Sequence, residues 1–228
     1  VTLPMVLLVV MVPFYIFIAG PHPNRTQHVP AIALDAAIPL VPAWSLVYGA
    51  LYAFLIALPV FVVREEEHLR RTVRAYLAVW ITAYACFLAY PTIAPRPAVI
   101  SEQGFGAWGL GLLYGMDPPY NCFPSLHVAH SFVSALTCLR VHRRVGIVAI
   151  GSAILVSLST LFTKQHYVLD VIAGALMALV AYVVFIRPQP HAQVPELDRN
   201  VAPVFAWGIL ACSLLGLAGY WVAYRIIS

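Results

Sequence analysis

The chain has 228 residues, of which 62% are hydrophobic and only 10% are charged. A soluble domain has about a quarter charged residues, so this composition excludes a water-soluble globular protein and predicts an integral membrane protein. The formal net charge of +4 does not indicate nucleic-acid binding, because the basic residues are scattered between apolar runs.

Seven apolar runs approach the roughly 20 residues that a membrane-spanning helix needs. A helix is the only open element that satisfies its own backbone hydrogen bonds in lipid. We therefore predict an all-α fold, a polytopic transmembrane helical bundle, with residues 1–228 forming a single membrane domain. The predicted spans cover about residues 2–19, 40–63, 75–94, 124–140, 145–163, 168–186 and 203–224.

The basic residues between the runs predict the orientation of the bundle, since cytoplasmic loops carry an excess of Lys and Arg. The less basic end holds Arg25, Arg96, Lys164 and Arg225. The more basic end, which we predict to be cytoplasmic, holds Arg64, Arg70, Arg71, Arg74, Arg140, Arg143, Arg144, Arg187 and Arg199.

Several ionisable side chains border the spans at the opposite, extracytoplasmic end. They come from three separate parts of the chain, yet the alternation of spans brings them to one membrane level. Ionisable groups at membrane depth are functional candidates by default. The group comprises Arg96 after the third run, His127 and His130 at the start of the fourth, Lys164 after the fifth, and His166 and Asp170 at the start of the sixth.

The spacing of these residues favours phosphoryl transfer. His166 and Asp170 are four residues apart and share a helical face, so the carboxylate can orient the imidazole as in a nucleophile or base dyad. Ser125 stands at the start of a predicted helix, where phosphate is favourably bound. The guanidinium of Arg96 presents a planar fork that matches phosphate oxygens.

The order of these residues resembles the type 2 phosphatidic acid phosphatase superfamily. That family has a Lys seven residues before Arg-Pro, then Pro-Ser-Gly-His, then Ser-Arg followed by His and Asp at fixed spacing. The matching residues here are Arg96-Pro97, the PSLH segment at 124–127, His166 and Asp170. The resemblance covers about residues 40–186 and implies a six-helix phosphatase-like core, with the run at 203–224 as a seventh, C-terminal span.

The resemblance also implies roles for individual residues. His166 would attack phosphorus, Asp170 would orient it, and His127 would protonate the leaving oxygen and then activate the acceptor. Arg96, Ser125 and nearby amides would hold the phosphate of a membrane lipid. The family's chemistry needs no metal or other cofactor.

The chain departs from the family pattern at three positions. Ala89 stands in place of the first Lys, Leu126 in place of Gly, and Thr160 in place of the third-motif Arg. Lys164 is one helical turn after Thr160, so a fifth span that reached it would present its ammonium on the same face. We therefore predict Lys164 as a third phosphate-binding residue.

The loss of fixed cations bears on the substrate. A phosphate monoester carries about −1.5 to −2 charges at neutral pH, whereas a diester carries one, so a weaker positive field favours a diester. The PSLH and HYVLDVIAG segments resemble the inositol-phosphorylceramide and sphingomyelin synthase branch, whose enzymes move a phosphorylated headgroup between lipids. Hydrolysis and headgroup transfer both stay open.

Other interpretations of the same residues also stay open. His127, His130, His166 and Asp170 are candidate ligands for zinc, although their spacing matches no zinc signature. A non-catalytic lipid-binding or lipid-transport protein is compatible with the missing basic residues. Away from the motifs, we favour for His130 a role in packing or in supporting the motif residues. Arg25 and Asp35 could form part of the cleft, but we favour a loop ion pair or solvated charges for them.

Overall fold

The computed structural model describes residues 26–97, 100, 103–188 and 194–227. These residues form helices and no β-strand, with two isolated bridges, His28 to Thr92 and Ile93 to Tyr120. The all-α prediction is confirmed. The helices are α1 (Ala33–Ala37), α2 (Trp44–Val62), α3 (Glu66–Ala89), α4 (Phe105–Met116), α5 (Leu126–Val141), α6 (Arg143–Phe162), α7 (Val168–Ala181, continued by a π-helical turn Tyr182–Ile186) and α8 (Glu196–Ile227).

Six of the seven predicted spans correspond to helices of the described residues. Five of these helices, α2, α3, α6, α7 with its π-helical turn, and α8, are long and apolar enough to cross a membrane, and α5 is a shorter apolar helix. The predicted span at 2–19 lies outside the described residues, as does Arg25. The polytopic bundle is therefore the observed architecture, while its treatment as one domain stays a prediction.

The third span begins nine residues earlier than predicted, at Glu66 instead of residue 75. Glu65 caps the helix by accepting hydrogen bonds from the backbone amides of Glu67 and His68. Ion pairs Arg70–Glu66 and Arg71–Glu67 then stabilise the first turns at i,i+4 spacing. Local charge pairing therefore extends the helix into a segment that hydropathy alone assigns to a loop.

Helix α5 is central to the packing of the bundle. On one side its residues Ala135 and Cys138 join the apolar cluster of α2, α4, α6 and α8. On the other side Ala129 and Val133 join the cluster of α3 and α7. Small side chains on α5 allow neighbouring helices to approach closely, as is usual for helix contacts in membranes.

The closest approach between α5 and α7 requires a glycine. A Cβ atom at Gly174 would lie 2.5 Å from the carbonyl oxygen of Ser125 and 3.2 Å from Cβ of Val128. The missing side chain therefore sets the distance between the two helices whose N-terminal ends lie next to the candidate histidines.

Candidate active site

The structure brings the two motif histidines into contact. Nδ1 of His127, in the first turn of α5, is 3.0 Å from Nε2 of His166, which precedes α7. The two rings are inclined by 63° with centroids 5.3 Å apart. Residues 39 apart in the chain thus form one hydrogen-bonded imidazole pair, as the motif order predicts.

The acceptors around His166 determine where its proton lies. Nδ1 of His166 is 2.9 Å from the carbonyl oxygen of Cys122 and 3.4 Å from Oδ2 of Asp170. Both oxygens are acceptors, so Nδ1 carries the proton and donates it. In the neutral ring Nε2 is then an acceptor, and Nδ1 of His127 donates to it. The lone pair that a nucleophile needs is on the nitrogen that faces His127.

A compact turn after α6 positions His166. The backbone amides of Gln165 and His166 both donate to the carbonyl oxygen of Thr160, at 2.9 and 3.2 Å. Thr160 is fully buried and occupies the position of the family Arg. At this position the chain supplies a backbone acceptor that shapes the turn, where the family pattern supplies a cation.

Asp170 is fully buried in the first turn of α7. Its Oδ2 accepts a hydrogen bond of 2.9 Å from the backbone amide of Tyr167 and lies beside Nδ1 of His166. A carboxylate is favourable near a helix N-terminus because it complements the exposed amides and the helix dipole. The same side chain therefore caps the helix and orients the imidazole.

Asp35 fixes the start of α7 from a distant part of the chain. Its Oδ1 accepts a hydrogen bond of 2.9 Å from the backbone amide of Val168, and its Oδ2 accepts one of 2.8 Å from Ile32. Asp35 is only 7% exposed, so its interpretation as a solvated charge is wrong. Sequence reasoning missed this contact because it joins residues 133 positions apart.

Arg96 lines the same small pocket as His127 and His166. The guanidinium is already engaged: Nη1 donates to the carbonyl oxygens of Tyr114, at 3.4 Å, and Asp117, and Nη2 lies 3.6 Å from Oδ2 of Asp117. Asp117, which lines the pocket too, also accepts a hydrogen bond of 2.8 Å from the side-chain amide of Gln165. The pocket thus contains a cation together with its counter-charge.

Ser125 is the N-cap of α5. Its Oγ accepts a hydrogen bond of 3.3 Å from the backbone amide of Val128, and its own amide donates to the carbonyl oxygen of Asp170 at 3.1 Å. The side chain is fully buried. Ser125 therefore links the first turns of α5 and α7, and its contact with phosphate stays a prediction.

Lys164 points to another part of the structure. Helix α6 ends at Phe162, and Lys164 lies in a turn with a φ of 55°. Its Nζ donates to the backbone carbonyls of Asp35, at 3.2 Å, and Ile38. The helix therefore stops short of the length that would place Lys164 on the face of Thr160. Its role in phosphate binding stays a prediction.

His130 is separated from the imidazole pair by its own contacts. Its ring stacks on Trp80, whose indole N–H donates to Nε2 of His130, and meets Tyr76 edge-on. In the described part of the chain, no three His, Cys, Asp or Glu side chains form a group that could hold a metal ion. The four residues considered for zinc therefore do not converge on one point.

Two further features of the site were not predicted. The rings of Tyr48 and Tyr52 contact the His127 ring edge-on, with centroids 5.5 and 5.2 Å away. The thiol of Cys122 is close to the pair, but burial, with the charge of Asp170, raises its pKa to about 12. A protonated thiol is a poor nucleophile, which leaves the imidazole of His166 as the better one.

Comparison with known proteins identifies the family of the chain. The family model of the PAP2 superfamily matches residues 25–184. The chain belongs to the PAP2 superfamily. A PA-phosphatase related-family protein of Dictyostelium discoideum is 23% identical over 120 residues, which is 48% of this chain and 22% of that protein. The chain therefore matches about a fifth of the length of this curated relative. No solved structure matches the chain.

The family match covers α1 to most of α7 and ends before α8. Membership in the PAP2 superfamily supports a phosphatase-like protein that acts on a phosphoester, and the apolar helices support an integral membrane protein. The narrower resemblance to the inositol-phosphorylceramide and sphingomyelin synthase branch stays a prediction.

Proposed function

We propose that this PAP2-superfamily protein cleaves a phosphoester of a membrane lipid through a phosphohistidine on His166. The observation that carries the proposal is the 3.0 Å contact between Nδ1 of His127 and Nε2 of His166, with Asp170 next to the other nitrogen of His166. Two imidazoles that meet at one point can act on one phosphorus, the first as nucleophile and the second as proton donor.

The reaction would proceed in two balanced steps. In the first, the lone pair of Nε2 of His166 forms a bond to phosphorus, the ester P–O bond breaks, and protonated His127 gives its proton to the leaving lipid oxygen. In the second, neutral His127 takes a proton from water, the water oxygen attacks phosphorus, and the N–P bond breaks. Arg96 would stabilise the charge on the phosphoryl oxygens in both steps.

The resting contact between the histidines must open for this chemistry. In-line transfer places the attacking and leaving atoms on opposite sides of phosphorus. A nitrogen–nitrogen distance of 3.0 Å leaves no space for a phosphoryl group between the rings. Substrate binding would therefore replace the hydrogen bond between the rings with one contact from each ring to the substrate.

The position of the site along the bundle supports an extracytoplasmic active site. The site lies where α5 and α7 begin, and the arginine-rich segments lie at the other end of the same helices. There Arg64 approaches Asp198 at 4.0 Å. Arg71 and Arg140 donate hydrogen bonds to backbone carbonyl oxygens at the C-terminal end of the π-helical turn that continues α7 and just after it. An excess of arginine on one side favours a cytoplasmic location for that side.

Transfer of a phosphorylated headgroup to a second lipid is the other candidate. The observation in its favour is the carboxylate of Asp117 beside Arg96, together with the engagement of Lys164 by backbone carbonyls. A pocket with so little net positive charge suits a singly charged diester better than a dianionic monoester. In this variant a lipid hydroxyl takes the place of water in the second step.

The test uses purified protein with lipid phosphomonoesters and phosphodiesters, each with and without an acceptor alcohol. Free phosphate from a monoester supports hydrolysis, and a new phospholipid that forms only with the acceptor supports transfer. During turnover the protein should carry acid-labile, base-stable phosphate, which His166→Ala should lack.

Three outcomes would contradict the proposal. Full activity in His166→Ala would remove the nucleophile. Binding of lipid without turnover of any member of the panel would instead favour a non-catalytic lipid-binding or transport protein. Loss of activity on chelation, restored by zinc, would revive a metal mechanism.

A further inference from the structure

A long apolar groove lies next to the candidate active site. It has a volume of about 610 Å³ and is formed between α2, α4 and α8. Sites for small molecules usually have volumes of roughly 300–1,000 Å³. We call it the C-terminal groove and define it by Tyr48 and Ala57 of α2, Trp108 and Met116 of α4, and Cys212 and Tyr220 of α8.

The groove meets the site at two points. Tyr48 and Tyr52 line the groove and also contact the ring of His127. Met116 lines the groove, and the next residue, Asp117, lines the polar pocket with Arg96. A molecule with a polar end at His127 and an apolar remainder would therefore reach both compartments across these residues.

The length of the groove fits one acyl chain. Its lining on α2 runs from Ser45 to Ala57, and its lining on α8 runs from Ile209 to Tyr220. At 1.5 Å per helical residue these stretches are about 18 and 17 Å long. One leaflet provides about half of the roughly 30 Å hydrocarbon core, which is a similar depth.

Aromatic side chains mark the end of the groove at the level where α4 and α8 meet. Trp108 contacts Tyr220 and Tyr224, with ring centroids 6.3 and 5.8 Å apart, and Phe105 contacts Tyr224 at 5.6 Å. Trp and Tyr are enriched at the membrane–water interface. This end therefore fits the headgroup level of a lipid.

We infer that the C-terminal groove binds an acyl chain of the lipid substrate and that α8 selects the length of that chain. The inference rests on the proposed function. Helix α8 lies outside the residues that the PAP2 model matches, so this wall of the groove is an addition of this chain to the family core. Selectivity for chain length would then depend on a segment separate from the catalytic residues.

Two glycines allow the groove to be filled without disturbing the fold. Gly49 on α2 and Gly216 on α8 both line it, and a Cβ atom built on either would meet nothing within 4 Å. Gly219 on α8 has equally open surroundings but is not among the lining residues. Gly49→Phe and Gly216→Phe are therefore the test variants, and Gly219→Phe is the matched control.

The first measurement compares substrates that share a headgroup and differ in chain length. In Gly49→Phe and Gly216→Phe, KM for a long-chain lipid should rise about tenfold, while kcat/KM for a water-soluble short-chain analogue should stay within about twofold. Gly219→Phe should behave as the unchanged protein. Equal effects on both substrates, or no effect on either, would overturn the inference.

The second measurement does not depend on turnover. Cys212 lines the groove and is exposed, whereas Cys122 and Cys138 are buried and Cys86 is half-buried. A maleimide should therefore label Cys212 first. A long-chain lipid phosphate should slow this labelling, and the concentration needed should be about tenfold lower than for a neutral lipid with the same chains. Equal protection by both lipids would show only a lipid-facing surface and would contradict the inference. Protection without catalysis would contradict the proposed function alone.

Discussion

Two buried imidazole clusters at opposite ends of α5 make an instructive comparison. The candidate-site cluster consists of His127, His166 and Asp170. The opposite-end cluster consists of His68, Thr72 and Thr137. They are about 15 Å apart along α5, at 1.5 Å per residue between positions 127 and 137. Burial and polarity alone do not distinguish them, since His68 and His166 are 1% and 7% exposed.

The opposite-end cluster is a closed hydrogen-bond network. The hydroxyl of Thr72 donates to the carbonyl oxygen of His68 at 2.8 Å, so Thr137 is the donor in the 2.6 Å hydroxyl pair. Nε2 of His68 must then donate to Thr137 at 2.9 Å. Each hydroxyl proton has one acceptor, and the network joins α3 to α5.

The candidate-site cluster differs because its histidines line a pocket. His127 is half-buried, and both rings border the space next to Arg96. Nε2 of His166 is hydrogen-bonded to a second imidazole, which is titratable. Nε2 of His68 is instead hydrogen-bonded to a threonine hydroxyl. Access and the nature of the hydrogen-bond partner, more than burial, therefore distinguish a candidate nucleophile from a packing residue.

The largest contrast should come from His127→Ala and His68→Ala. Loss of His127, the proposed proton donor, should lower turnover by about 10²–10⁴-fold with little change in thermal unfolding. Loss of His68 leaves the Thr137 hydroxyl without its donor and should lower the free energy of unfolding by about 1–3 kcal/mol, with turnover per folded protein nearly unchanged. Lower stability in His127→Ala together with lower turnover in His68→Ala would contradict the distinction between the two clusters.

Asp170→Asn should have the next largest effect. An amide oxygen can still accept from the Tyr167 amide, so α7 should keep its cap. The neutral side chain no longer stabilises positive charge on His166, and turnover should fall by about 10²-fold or more. Steady-state kinetics would measure the fall in turnover, and circular dichroism would check that the helices are retained. Wild-type turnover in this variant would exclude the orienting role of Asp170.

Gly174→Ala tests the spacing between α5 and α7. The new Cβ would lie 2.5 Å from the Ser125 carbonyl oxygen, so α7 must move away from α5. We expect about 1–3 kcal/mol lower stability and about tenfold lower activity, because the histidines move apart. Gly151→Ala in α6 is the control, since its Cβ would meet nothing within 4 Å.

Asp117→Asn should give the smallest change and concerns substrate charge. The substitution removes the negative charge next to Arg96, so the pocket becomes more positive. KM for a lipid phosphomonoester should fall by about three- to tenfold relative to a diester. Competition between the two substrates would measure this ratio, and an unchanged ratio would remove Asp117 from substrate selection.

Hydropathy and motif order were sufficient to predict the helical class, six of the spans and the meeting of His127 with His166. They succeeded because span alternation fixes which helix ends lie together. The partners of Arg96 and Lys164 were not predictable in this way. Asp117 and Asp35 come from loops and a short helix, whose side-chain directions depend on tertiary contacts and not on a periodic pattern.

The early start of α3 shows a second limit. Hydropathy identifies the part of a helix that crosses lipid, whereas Glu65 and the paired arginines extend the helix beyond it. Similarly, the family motif predicts a cation near position 160, but the structure has the Thr160 carbonyl in the turn before His166. The sequence shows that the basic residue of the family motif is missing, but it does not show which backbone contact takes its place.

The bond from Asp35 to the amide of Val168 has a practical consequence for protein engineering. A short helix before the first described span braces the segment that carries His166, so the two regions respond together although they are far apart in sequence. An epitope tag inserted around residues 31–38 should therefore impair the proposed activity as much as a change next to His166 would. Reporter tags are better attached elsewhere.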